Sequence, residues 1–178
     1  QEGVRLGMYC YGPAESAKTD AVYVSVRDEA DWREFLAMMR AGGFQKEFAA
    51  ETPVRPDPAR LPLLQEEVKQ IDGLHVVVVP RGIGPSRWDH RKNADTHIQR
   101  RFMLLGQTVD GMRVWDARRA IQAARTLPEA AGKPMVLASK GTMAGVALFA
   151  SLFEPDIGML RLEDLPKDQR QGPIFLNG

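Results

Sequence analysis

Residues 133–150, Lys-Pro-Met-Val-Leu-Ala-Ser-Lys-Gly-Thr-Met-Ala-Gly-Val-Ala-Leu-Phe-Ala, decide the fold. An apolar run of strand length stops at a turn of small residues, Ser139 to Thr142, and an Ala-rich apolar run of helical length follows. The pattern predicts a strand, a sharp turn and a helix. The simplest reading is the strand-to-helix turn of any α/β fold. Ser139-Lys140-Gly141-Thr142 also invites a phosphate-loop reading, but its order departs from G-x-x-x-x-G-K-[ST].

Upstream of this unit, Val76 to Val79 is a pure valine run, the mark of a strand covered on both faces. Between the two, residues Ile98 to Leu127 show helical periodicity broken near Gly106, with Met112, Trp115, Ala120, Ile121 and Ala124 as the expected apolar face. Further back, Val4–Tyr11 and Ala21–Val26 read as strands. A helix opens with the acidic turn Asp28–Asp31, carries Trp32, Phe35, Leu36 and Met39, and stops at Gly42-Gly43. Phe44 to Leu61 reads as a surface connection, Leu61 to Ile71 as a short helix, and Arg87 to Thr96 as a polar loop. Downstream, Ile157–Leu162 predicts another strand, and Pro173–Leu176 the start of a further element. Strands alternating with helices predict an α/β domain, a mostly parallel sheet with helices on both faces.

The chain of 178 residues suits one domain with a sizeable core. Its 44% hydrophobic and 26% charged content is that of a globular protein. A net charge of +1 gives no reason to expect nucleic acid or an acidic membrane surface. No apolar run approaches the roughly 18 residues of a membrane span. Cys10, the single cysteine, cannot form an intramolecular disulfide. The chain opens on Gln1 with no signal-like segment, so the expectation is an excised domain or a processed chain.

Three places could carry chemistry. The turn offers Ser139, Gly141, Thr142 and Met143. The loop Arg81-Gly82-Ile83-Gly84-Pro85-Ser86 follows a buried strand, at the edge where open α/β sheets bind ligands. Arg81, Gly82, Gly84 and Ser86 are therefore candidate ligand-binding residues, with Arg81 either holding a carboxylate or pinning the backbone. A third glycine for a dinucleotide loop is missing, since Arg87 stands there. His75, His90 and His97 lack the paired spacing of a zinc motif, and neither a metal nor another cofactor is expected. The basic residues Arg100, Arg101, Arg118 and Arg119 read as a solvated helix face.

Taken together, these residues resemble the acetyl-xylan-esterase-like and prolyl-oligopeptidase-like α/β-hydrolases. Arg81-Gly82-x-Gly84-x-Ser86 is similar to the R-G-x-G-x-S loop after the fourth strand of those enzymes. Leu105-Gly106 with Gly111-Met112-Arg113-Val114-Trp115-Asp116 is similar to their next helix, L-G-x-x-x-x-G-M-R-V-W-D. The resemblance runs from about His75 to Leu162. It implies that the turn is the nucleophile elbow, G-x-S-x-G, with Ser139 at the first glycine, Gly141 at the serine and Met143 at the second glycine. The nucleophile is thus absent, and neither an oxyanion H-G-G sequence after Val26 nor a later triad histidine is found.

The resemblance implies a partial α/β-hydrolase fold over residues 1–178, truncated at its carboxyl end. It also implies a degenerate domain of a larger secreted or periplasmic bacterial protein. Its expected partner is a neighbouring hydrolase domain, or a second copy paired through an unpaired sheet edge. Two alternatives stand beside this accessory module. One is an active esterase or peptidase with Ser139, Thr142 or Cys10 as nucleophile. The other is a small-ligand or carbohydrate-binding module using the Arg81 loop and the vacated turn.

Overall fold

Val22, Val24 and Val26 alternate with Tyr23 and Ser25, and in the computed structural model the three valines are at most 1% exposed. Residues 4–12, 20–51, 54–55, 57–70, 73–88, 94–168 and 170–176 are described. The strands are β1 (Met8–Tyr11), β2 (Ala21–Val26), β3 (Gly73–Val78), β4 (Met135–Lys140) and β5 (Ile157–Glu163). The helices are α1 (Glu29–Ala41), α2 (Leu61–Gln70), α3 (Ala94–Leu104), α4 (Val109–Arg125) and α5 (Gly141–Ser151).

The sheet order is β1-β3-β2-β4-β5, with β1 antiparallel to β3 and every other pair parallel. Registers Val24↔Val76 and Val24↔Leu137 align apolar residues on one face, under α4 and α5. Tyr9, Tyr11, Tyr23, Ser25 and His75 point to the other face, where α1 packs through Trp32 and Phe35. The α/β fold with helices on both faces is therefore present.

Asp28 starts α1 by accepting the Asp31 amide at 2.8 Å, and the helix ends at Gly42. Thr108 caps α4 by accepting the Gly111 amide at 3.0 Å. The helical region does break near Gly106, whose φ is +68°.

Several expectations shift. The first strand spans only Met8–Tyr11, because Met8 pairs with Val78 and, two residues beyond it, Pro80 has no amide to extend the ladder. The core face of α4 is Val114, Ala117, Ile121 and Ala124; Trp115 is 37% exposed and Met112 and Ala120 are half-buried. The helix is rotated relative to the expected stripe because the small residues let it approach the sheet. The segment after Gly43 is not all surface. Phe48 enters the aromatic cluster of Tyr9, Trp32 and Phe35, and Arg40 ties its carbonyl at 2.9 Å. α3 starts at Ala94, inside the expected loop. Residues 173–176 form no helix or strand, and Phe175 instead packs on Phe149 with ring centroids 4.1 Å apart.

Candidate functional site

β2 connects toward β3 through α1 on one face, and β3 connects back across β2 to β4 through α4 on the other. The crossovers therefore diverge between β2 and β4, and a crevice opens beyond the carboxyl ends of those strands. The chain turn that organises the sequence stands at its edge.

β4 ends at Lys140 in extended backbone (φ −133°, ψ 152°), and α5 starts at once with Gly141 at φ +57°. That left-handed conformation costs an ordinary residue about 1–2 kcal/mol and costs glycine nothing. A Cβ built on Gly141 meets nothing within 4 Å, so a side chain at this position would have open space. No side chain caps α5, whose first amides face this opening.

Ser139 donates its hydroxyl to the Val26 carbonyl at 2.7 Å, tying β4 to β2. Thr142 is exposed, and Met143 is 2% exposed in the core. Met143 is thus a core side chain and projects nothing into the opening.

No described histidine hydrogen-bonds to Ser139 or Thr142. His97 is exposed on α3, and His90 lies outside the described residues. His75 is stacked between Tyr11 and Tyr23, with ring centroids 4.8 and 5.1 Å away. Burial, and then the neighbouring Arg27 charge, push its pKa down from 6.5 to about 4. Its folded pKa is depressed, so the unfolded chain binds the extra proton. Stability is complete above pH 6.5 and falls as pH drops toward 4. A His75→Asn variant is expected to flatten that part of a denaturation-versus-pH curve.

The Arg81 loop is committed internally. Arg81 is 5% and Asp116 2% exposed. Asp116 accepts the Arg81 amide at 3.0 Å and Nε at 2.8 Å. Arg113 Nε donates to the Arg81 carbonyl at 3.2 Å. Ser86 donates to the carbonyls of Pro80 and Ile83, both at 3.0 Å, and the Gly84 amide donates to Glu29 at 3.0 Å. Gly82 and Gly84 have φ of +75° and +48°. A Cβ on either would strike Trp88 or Trp32 respectively. Backbone pinning, the second of the two roles open to Arg81, is what this geometry describes; none of these four residues projects a free group toward the crevice.

The R-G-x-G-x-S loop and the G-M-R-V-W-D helix are thus two halves of one lock. In the sequence they stand apart, and the role of Asp116 as the partner of Arg81 is not apparent. Asp116 stands among arginines on its helix, and its burial, which sets it apart from a solvated carboxylate, emerges only with the fold. Among the described residues no group of three or more His, Cys, Asp or Glu could hold a metal ion.

No protein-family model and no curated protein matches the chain. Among solved structures it is similar to the crystal structure of a candidate acetyl xylan esterase from Bacteroides fragilis. The TM-score is 0.59 at 12% identity, over 100% of this chain and 49% of that one. At that identity the likeness concerns the fold, which is esterase-like, and the chain spans about half the length of its neighbour.

Proposed function

We propose that this chain is a catalytically degenerate α/β-hydrolase-like domain serving as an accessory module to an esterase or peptidase domain. The observation that carries the reading is Gly141. It keeps the backbone of a strand-to-helix nucleophile turn, at φ +57° with open space above it, yet offers no nucleophile. Ser139 is a poor substitute because its hydroxyl is spent on the Val26 carbonyl. No described histidine hydrogen-bonds to Thr142 or Cys10, and burial, with Glu129 second, raises the Cys10 pKa, against thiolate chemistry.

An accessory module needs a surface for its partner, a neighbouring hydrolase domain or a second copy. β5 supports that requirement. It is the last strand of the sheet, and its Met159 and Leu160 are 51% and 38% exposed. Beside it Leu152 and Phe153 of the α5 end are 71% and 57% exposed. An apolar open edge of this kind favours strand addition.

The test is hydrolysis of p-nitrophenyl acetate by the purified chain and by Ser139→Ala and Gly141→Ser variants. No turnover above buffer is expected from any of the three, because restoring a hydroxyl does not restore a base. Turnover by the parent that Ser139→Ala abolishes would sink the module reading and make this an enzyme with a displaced nucleophile.

A further inference from the structure

A cavity of about 450 Å³ lies on the α1 side of the sheet, running from the carboxyl ends of β2 and β4 to the ring of His75. That size is within the range of small-molecule sites. Its apolar wall is Phe35, Met38, Leu63 and Ala138. Three guanidiniums elsewhere in the fold are ion-paired: Arg81 with Asp116, and Arg118 and Arg125 with Glu154. Two guanidiniums in this cavity are not.

Arg27, at the carboxyl end of β2, lies 5.2 Å from the Phe35 ring and makes one long contact of 3.5 Å to the Asp31 carbonyl. Arg161, on β5, is in register with Ala138 and, across β4, with Ser25. The small Ala138 side chain lets Arg161 fold back toward β2, where its guanidinium stands 5.4 Å from the Tyr23 centroid. Neither arginine forms an ion pair with a described residue, and Ser25 makes no side-chain hydrogen bond with one. Two cations and a hydroxyl therefore come together in the lining of one cavity, beside one short stretch of β2.

None of the carboxylates lining the cavity forms an ion pair with either arginine. Glu34 is taken by Arg60 at 2.9 Å, while Lys140 is drawn outward to Asp164 at 3.8 Å. Asp31 and Glu163 also line the cavity. Burial, then the neighbouring Asp28, hold the Asp31 carboxyl above its ordinary range despite Arg27.

From this convergence we infer that the cavity between α1 and the sheet binds a small organic anion, a carboxylate or phosphate on an apolar body. The anionic end is held by Arg27, Arg161 and Ser25, and the body lies against Phe35 and Met38. Charge-assisted hydrogen bonds to two guanidiniums supply orientation, and the aromatic wall supplies the buried area. The inference goes beyond the accessory role and needs neither Gly141 nor the loss of hydrolysis.

Calorimetric titration of the intact chain with benzoate, phenyl phosphate and neutral benzamide tests it. At least one of the two anions is expected to bind saturably where benzamide does not, and their ranking separates carboxylate from phosphate. Arg161→Gln and Arg27→Gln are each expected to weaken that binding about tenfold. Arg119→Gln, on the opposite face, is expected to leave it unchanged. The inference is overturned if neither anion saturates by about 20 mM, if benzamide binds as well, or if both Arg161→Gln and Arg27→Gln bind like the parent. Because p-nitrophenyl acetate turnover is read separately, either proposal can fail while the other stands.

Discussion

Asp116→Ala is expected to lower the unfolding free energy by about 3–5 kcal/mol, the cost of leaving a buried charge without its partner. Arg81 is 5% exposed, and water cannot replace the carboxylate it loses. The substitution also removes the acceptor of the Arg81 amide. A buried backbone donor without a partner adds its own penalty. Urea denaturation followed by circular dichroism measures the loss. A double variant, Arg81→Met with Asp116→Leu, should recover much of it, since no bare charge then remains buried. A single Asp116→Ala variant as stable as the parent would mean that the pair is solvated in solution. The loop between β3 and α3 would then need another anchor.

Gly84→Ala is expected to cost about 2–5 kcal/mol, and Gly141→Ala only about 1–2 kcal/mol. Both positions have positive φ, +48° and +57°, so both pay for a left-handed side chain. They differ in space. A Cβ on Gly84 would stand 2.5 Å from Cδ1 and Nε1 of Trp32, which is 1% exposed among Tyr9, Phe35 and Phe48. A Cβ on Gly141 touches nothing. Thermal melts of the two variants side by side separate backbone strain from steric conflict. Equal losses would show that Trp32 moves aside freely and that the aromatic cluster is loosely packed.

These outcomes bear on how much the sequence disclosed. The Met135–Thr142 stretch announced its own structure because a strand, a turn and a helix follow one another without intervening contacts. The valine run of β3 and the capped start of α1 were legible for the same local reason. What escaped notice depended on residues distant in the chain. Asp116 and Arg81 meet across 35 positions, and nothing local distinguishes Asp116 from a solvated helix carboxylate. Phe48 sits in a segment of prolines without periodicity and is recruited by aromatic rings from two other elements. The face of α4 differs from the expected stripe because Trp115 and Met112 are larger apolar side chains than Val114 and Ala117, whereas the sheet selects smaller residues for close approach. The cavity holding Arg27 and Arg161 was invisible, because its walls come from all five strands and from α1 and α2.

The position of β2 at the centre of the sheet also dictates the order in which the molecule can be made. Val26 and Ser139, joined by a hydrogen bond, are separated by 113 residues. At about 5–20 residues per second, a ribosome needs roughly ten seconds to deliver the second after the first. Throughout that interval the valines of β2 are in the nascent chain while β4 has yet to be synthesised. The first hairpin-free pairing open to β2 is with β3, and the sheet stays one-sided until Met135–Lys140 emerges. The growing polypeptide is therefore a client for any factor that shields apolar strands, and rare codons placed between β3 and β4 would prolong its exposure.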